Sequence, residues 1–177
     1  MKQLLLLRHA KSSWGSDDLP DRQRPLAPRG EEAGTRMGEA MAERGLLPDR
    51  ILCSPAVRTR QTLERLKPSL AAATPVEFVE DLYDAPESTY LGIIHDHGGD
   101  AGRLLVIGHN PHTHATAVVL SGDGDRRERS QLMLKFPTAG LAVLAFDDGP
   151  WTDIAPGSGR LETFLRPRDL MPGADLD

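Results

Sequence analysis

The sequence predicts a three-layer α/β/α sandwich around a mainly parallel sheet with an antiparallel edge, and three observations carry that prediction. Short continuous apolar runs, Leu4-Leu5-Leu6-Leu7 and Leu104-Leu105-Val106-Ile107, have the composition of strands covered on both faces. Segments with helical periodicity alternate with such runs, as in a sheet built from helical crossovers. Near the end two strand-like runs follow one another with turn residues between them, as an antiparallel pair does.

In chain order, the leucine run is too short for a membrane span. It leads directly into Arg8-His9, where a buried strand stops, and ligands of open α/β sheets bind outside the carboxyl ends of strands. A plain polar strand exit accounts for the pair equally well at this point. The loop from Ser12 to Pro28 carries Trp14, Asp17, Asp18, Asp21 and the turn Arg24-Pro25-Leu26. It is long for a connector and reads as one wall of a site. Ala33, Met37, Ala40 and Met41 at helical spacing, with Gly45 as a stop, predict a helix from about Arg29 to Arg44. Arg50 to Cys53 is a short strand. Ser54-Pro55 then reads as a helix start with serine as cap and proline in the first helical position, running to about Leu66. Arg58 would thus lie near free backbone N–H groups receptive to anions.

Pro75 to Val79 reads as a third strand, and Pro86 to about His97 as a helix closed by Gly98-Gly99. Arg103 to Ile107 is a further buried strand that ends on Gly108-His109-Asn110-Pro111 and repeats the opening pattern. Pro111 opens a helix through Leu120. Asp123 to Ser130 is a charged excursion, read as a solvated loop. Strands over Gly140 to Phe146 and Arg160 to Arg166 close the sheet, and the tail from Pro167 to Asp177 is expected to be loosely held.

At 177 residues without a dividing linker, the chain is expected to form one domain over residues 1–170 with a short tail, 171–177. The net charge of −5 argues against a general nucleic-acid surface. Arginines number 17 against 4 lysines, a bias for which base composition is explanation enough, so that only individual arginines inform. The single cysteine, Cys53, cannot form an intramolecular disulfide, and the opening residues lack the pattern of a secretory signal. A cytoplasmic protein without a membrane partner is the expectation.

Arg8-His9, Arg58 and His109 all fall at strand ends. Should they converge, two guanidiniums and two imidazoles surround one point, which suits a phosphoryl group: arginines clamp its oxygens and a neutral imidazole attacks phosphorus. Histidine, with an ordinary pKa of about 6.5, is largely neutral at physiological pH.

Three motifs, Leu-Leu-Arg-His-Ala-Lys at 6–11, Ser-Pro-Ala-Val-Arg-Thr-Arg-Gln-Thr at 54–62 and Gly-His-Asn-Pro at 108–111, resemble in order those of the histidine phosphatase superfamily, the phosphoglycerate-mutase-like fold. Arg-Pro-Leu-x-x-Arg-Gly at 24–30, Leu-Tyr-Asp-Ala at 82–85 and Phe-Pro-Thr-Ala at 136–139 resemble its SixA-type phosphohistidine phosphatases. The resemblance implies that His9 is the nucleophile, that Arg8 and Arg58 clamp the phosphate, and that His109 donates to the transferring group. It implies no metal or cofactor. Ala10 stands where many relatives have glycine. Relatives acting on alcohol phosphates use an acid after the third strand, where this chain offers Glu80, Asp81 and Asp84; Asp84 is taken as the general acid, with a turn or capping role as the alternative. The implied partner is a phosphorylated protein bearing phosphohistidine or a small phosphorylated compound.

Rival readings remain on the page. His95-x-His97 and His109-x-x-His112-x-His114 are spacings that chelate zinc, although His95 and His97 also suit a helix end. Cys53 precedes Arg58, but with four residues between them instead of the five of cysteine-dependent phosphatases, and it reads as a small buried hydrophobe. A phosphatase of small phosphomonoesters and a non-catalytic phosphate- or phosphoprotein-binding module are further alternatives on the same fold.

Overall fold

In a computed structural model, which describes residues 1–14 and 18–173, seven strands form one sheet in the order β3-β2-β4-β1-β6-β7-β5. Its strands are β1 (Lys2–Arg8), β2 (Arg50–Cys53), β3 (Val76–Phe78), β4 (Arg103–Gly108), β5 (Ser121–Gly124), β6 (Leu141–Phe146) and β7 (Gly159–Leu165). Helices α1 (Pro28–Glu43), α2 (Val57–Leu66), α3 (Leu91–His97), α4 (His112–Leu120), α5 (Arg126–Leu134) and α6 (Pro167–Leu170) connect or flank them. β1, β2, β3 and β4 pair in parallel, while β6 runs against both β1 and β7. The antiparallel pairing therefore falls on the β6 side of the sheet, where β5 adds a last strand parallel to β7.

The four leucines of β1 show why the sheet is covered twice. Side chains alternate along a strand; Leu4 and Leu6 join the core that includes Ile94, Ala117, Leu132 and Trp151, while Leu5 and Leu7 join the one that includes Met37, Met41, Leu63 and Leu66. α3, α4 and α5 thus cover one face, and α1 and α2 the other. All four leucines have no exposed surface, and each such burial contributes roughly 1.5–3 kcal/mol.

Several boundaries differ from the sequence expectation. α2 starts at Val57, because Ser54 does not cap it: the Ser54 hydroxyl is taken by His109. α3 starts at Leu91 instead of Pro86, since the Tyr90 amide donates to Thr116 Oγ1 at 2.9 Å and its side chain is committed elsewhere. The charged excursion is not a solvated loop. It is β5 followed by α5, which Asp125 caps by accepting from the Arg127 and Glu128 amides at 2.9 and 3.0 Å, and which Leu132 anchors in the core. The start of the tail is held as well: α6 carries a capping box between Arg166 and Asp169, and Met171 packs on Ala10, Leu26, Ala33 and Ala139. Asp17 in the first loop and residues 174–177 of the tail lie outside the described residues.

α1 begins against the segment that leaves β1. Ala27 N–H donates to the Lys11 carbonyl at 2.9 Å, and a Cβ on Gly30 would lie 2.1 Å from that same oxygen, so only glycine fits there.

Candidate active site

His9 lies one residue beyond β1 and its backbone is held on every side. Its N–H donates to the Gly108 carbonyl at 3.0 Å, its carbonyl accepts from Ala139 N–H at 3.0 Å, and the next amide, Ala10, donates to Thr62 Oγ1 at 3.0 Å. Ala139 reaches this position with a φ of 57°, the left-handed region that only a turn under constraint imposes on alanine. The imidazole is fixed too. Nδ1 lies 2.7 Å from the Ala10 carbonyl, which can only accept; Nδ1 therefore carries the proton and Nε2 keeps its lone pair. Burial, joined by the charges of Arg58, Arg8 and Arg24, outweighs the hydrogen bond to Ala10 and pulls the pKa down to about 3, so the ring is neutral.

His109 follows β4, the parallel neighbour of β1, and the two imidazole centroids stand 5.3 Å apart. Its Nε2 pairs with Ser54 Oγ at 2.7 Å, while its buried Nδ1 has no hydrogen-bond partner among the described residues. Burial and the neighbouring His9, Arg58 and Arg8 lower its pKa to about 3, against the opposing pull of Asp21.

Arg58 enters from the first turn of α2 and Arg8 from the end of β1. Arg58 gives Nη1 to the Asp21 carbonyl at 2.8 Å and Nη2 to Asp21 Oδ2 at 3.1 Å. Arg8 gives Nη1 to the Phe136 carbonyl at 3.0 Å, which also accepts from Asn110 Nδ2 at 3.0 Å. Each arginine is thus oriented by its terminal nitrogens, and in each the buried Nε–H has no partner among the described residues. His9, His109, Arg8 and Arg58 are therefore brought together as their strand-end positions suggest: beside burial, both guanidiniums help lower the pKa of each imidazole, and Arg58 that of Arg8.

Asp84 is placed differently. It is exposed at the bend after Tyr83, and among the described residues no hydrogen bond or ion pair joins it to the two histidines and two arginines. The carboxylate that does reach them is Asp21. It also accepts from Tyr83 Oη at 2.9 Å and Arg24 Nε at 3.1 Å, and although burial opposes ionisation, Tyr83, Arg58 and Arg24 together hold its pKa below the usual range. Tyr83 completes the wall, its ring edge-on to His109 at 5.5 Å. Asp21 and Arg24 were named from the sequence only as part of the loop read as one wall of a site, Ser54 only as a helix cap and Tyr83 only within the motif at 82–85; their residue types are common in turns, and nothing local pairs them with the two histidines and two arginines.

The histidines with chelating spacing go to separate partners. His95 donates to the Ile154 carbonyl, His97 pairs with Glu77, His114 donates to the Leu132 carbonyl and His112 stacks on Tyr90. Among the described residues no three His, Cys, Asp or Glu side chains assemble as a metal-binding group. Cys53 is buried, and burial pushes its thiol up to about 12, away from nucleophilic form.

A strand-end cluster of two neutral imidazoles and two oriented guanidiniums on a three-layer sheet defines a class, and comparison with known proteins agrees. A profile of the histidine phosphatase superfamily (branch 1) matches residues 4–97. The uncharacterized protein Rv1276c of Mycobacterium tuberculosis (strain ATCC 25618 / H37Rv) is 40% identical over 165 residues, spanning 92% of this chain and 100% of its own. Among solved structures, the candidate phosphohistidine phosphatase SixA from Agrobacterium tumefaciens superposes with a TM-score of 0.78 at 30% identity, over 93% of this chain and 97% of that one. A second candidate SixA, from Nakamurella multipartitia, gives 0.74 at 30% identity, over 94% and 96%. The chain belongs to the histidine phosphatase superfamily. Its enzyme class is that of a phosphatase, and the full-length likeness within the superfamily is to SixA-type members.

Proposed function

We propose that this protein hydrolyses phosphohistidine on a protein substrate, without a metal, through a covalent intermediate on His9. One observation carries the reading: three buried donors without partners among the described residues, Arg8 Nε, Arg58 Nε and His109 Nδ1, accompany the free lone pair of His9 Nε2. Three N–H groups and one nucleophile match the three non-bridging oxygens of a phosphoryl group and an in-line attack on its phosphorus.

In the first step His9 Nε2 bonds to phosphorus as the bond to the leaving nitrogen breaks, and that nitrogen departs protonated. The Nδ1–H···O=C bond to Ala10 steadies the cationic ring that forms. Arg8, Arg58 and His109 hold the charge on the oxygens, a task that divalent ions perform in kinases, and hence no metal is required. In the second step water attacks phosphorus, the bond to Nε2 breaks, and inorganic phosphate leaves. For His109 Nδ1 to donate, its Nε2 must accept, which makes Ser54 the donor of their 2.7 Å bond.

Asp21 orients Arg58 and is held too strongly ionised to give a proton. Asp84, exposed at the bend after Tyr83, is the proposed donor for leaving oxygens. A phosphoramidate nitrogen is basic enough to take its proton from water, so Asp84 is dispensable for phosphohistidine. A protein substrate is supported by the full-length likeness to the two candidate phosphohistidine phosphatases of SixA type.

The test combines trapping with a substrate panel. His109→Ala protein mixed with labelled phosphoramidate is expected to hold acid-labile, base-stable label that His9→Ala protein does not acquire. Phosphohistidine protein is expected to turn over faster than aryl phosphate, Asp84→Asn is expected to slow only the ester, and a chelator is expected to leave all rates unchanged. Absence of label and of turnover on every substrate would leave a binding module as the reading.

A further inference from the structure

We propose that Tyr90 is a positioning residue of this site, its hydroxyl clamping the peptide group between Gly108 and His109 to the turn that carries Tyr83. The inference rests on the phosphatase reading above and assigns the residue that makes the two halves of the pocket one unit.

Tyr90 precedes α3 and has no exposed surface. Its Oη donates to the Leu82 carbonyl at 2.7 Å and accepts from the His109 N–H at 3.0 Å. A phenol has one proton, and the shorter bond takes it. The peptide group concerned does double service: its carbonyl, that of Gly108, accepts from the His9 N–H at 3.0 Å, and its N–H is the one that Tyr90 receives. That single plane therefore holds the backbone of the nucleophile on one side and carries the second imidazole on the other. The N–H stands just beyond the last residue of β4, where no ladder partner receives it, so Tyr90 supplies the acceptor the sheet does not.

The ring adds a steric limit. A Cβ on Gly108 would lie 2.6 Å from the Tyr90 ring, so the strand end rests directly against it, and His112 stacks on the ring with centroids 5.5 Å apart. On the other side, Leu82 is followed by Tyr83, whose ring packs on His109 and whose hydroxyl holds Asp21, which in turn orients Arg58. The Tyr90 hydroxyl thus joins the backbone behind both histidines to the wall that sets one arginine, and it touches no reacting atom itself.

Loss of that oxygen leaves a buried N–H and a buried carbonyl without partners, and the peptide plane turns to relieve them. The separation of the two imidazoles, 5.3 Å between centroids, follows the plane. Displacements well under 1 Å at reacting groups cost about tenfold or more in rate. Arg8 and Arg58 keep their own anchors, so binding changes far less than chemistry.

The experiment compares wild type, Tyr90→Phe and Trp151→Phe. The last removes another buried bond, Trp151 Nε1–H to the Ala101 carbonyl at 2.8 Å, from the same core but away from the site. Steady-state rates on phosphoramidate, thermal midpoints and the His109 imidazole resonances are measured. Tyr90→Phe is expected to lower kcat about tenfold or more with KM within about twofold, and to shift the His109 ring signals, while Trp151→Phe lowers only the thermal midpoint. Wild-type kcat and unshifted signals in Tyr90→Phe would overturn the proposal and leave Tyr90 a core residue. Should Tyr90→Phe fail to fold, 4-aminophenylalanine at position 90 keeps the ring's outline and a donor to Leu82, while its conjugated nitrogen accepts poorly from the His109 N–H; a fall in kcat supports the clamp and an unchanged kcat overturns it. If the wild type turns nothing over, the phosphatase reading falls, and the His109 resonances alone decide for or against the clamp.

Discussion

His9 spends one ring nitrogen on the backbone so that the other is free, and burial keeps the ring neutral at a cost that pH exposes. In the unfolded chain both His9 and His109 take up protons near pH 6.5; in the folded protein they do so only near pH 3. Between those values the unfolded state binds more protons, so stability falls as pH falls. Urea unfolding is expected to show full stability above about pH 6.5 and a loss on the order of a few kcal/mol by pH 4, a loss reduced in His109→Asn protein. The same depressed values keep the proposed nucleophile, His9, neutral throughout mildly acid conditions, and no fall in kcat/KM from protonation of these rings is expected between pH 5 and 8. Arg8, His9, Arg58 and His109 were legible in the sequence because each follows an apolar strand whose end is conspicuous. Asp21 was legible only as part of the loop read as one wall of a site, and Ser54, Tyr83 and Tyr90 were not legible as site residues. What makes them functional is a partner distant in sequence, as Asp21 is from Arg58 and Tyr90 from His109, and polar residues in turns announce no such partner.

At the scale of elements, α5 shows where composition misleads. Its sequence, Arg-Arg-Glu-Arg-Ser-Gln-Leu-Met-Leu, is dominated by charge, and only Leu132 is buried, so no apolar stripe marks it. The helix exists because Asp125 caps it and because Leu132 and the following Phe136 reach the core. Asp125→Ala is expected to cost about 1 kcal/mol, lowering the thermal midpoint by roughly 2–4 °C with kcat unchanged. By contrast β2, β4 and α1 lie within one residue of their expected limits and β1 within two, since long apolar runs and a helical stripe closed by glycine are strong local signals. α2 and α3 begin late for one shared reason. The residues just before their first turns, Ser54 and Tyr90, are drawn instead into bonds that support His109.

For the molecule as a whole, the class of fold was readable from the alternation of strands and helices, whereas the position of β6 between β1 and β7 was not. Strand order is decided by which faces and edges close against each other, information that no single segment carries. Among the described residues no helix is long and apolar enough to cross a membrane. The order of the sheet bears on how the pocket keeps its shape. β1 is the fourth of seven strands and is bonded along both sides, so its amides are expected to be among the slowest in the protein to exchange with deuterium, while those of β3 and β5 at the two edges exchange far sooner. A transient opening at either edge would therefore leave the end of β1, and with it the proposed nucleophile His9, in register.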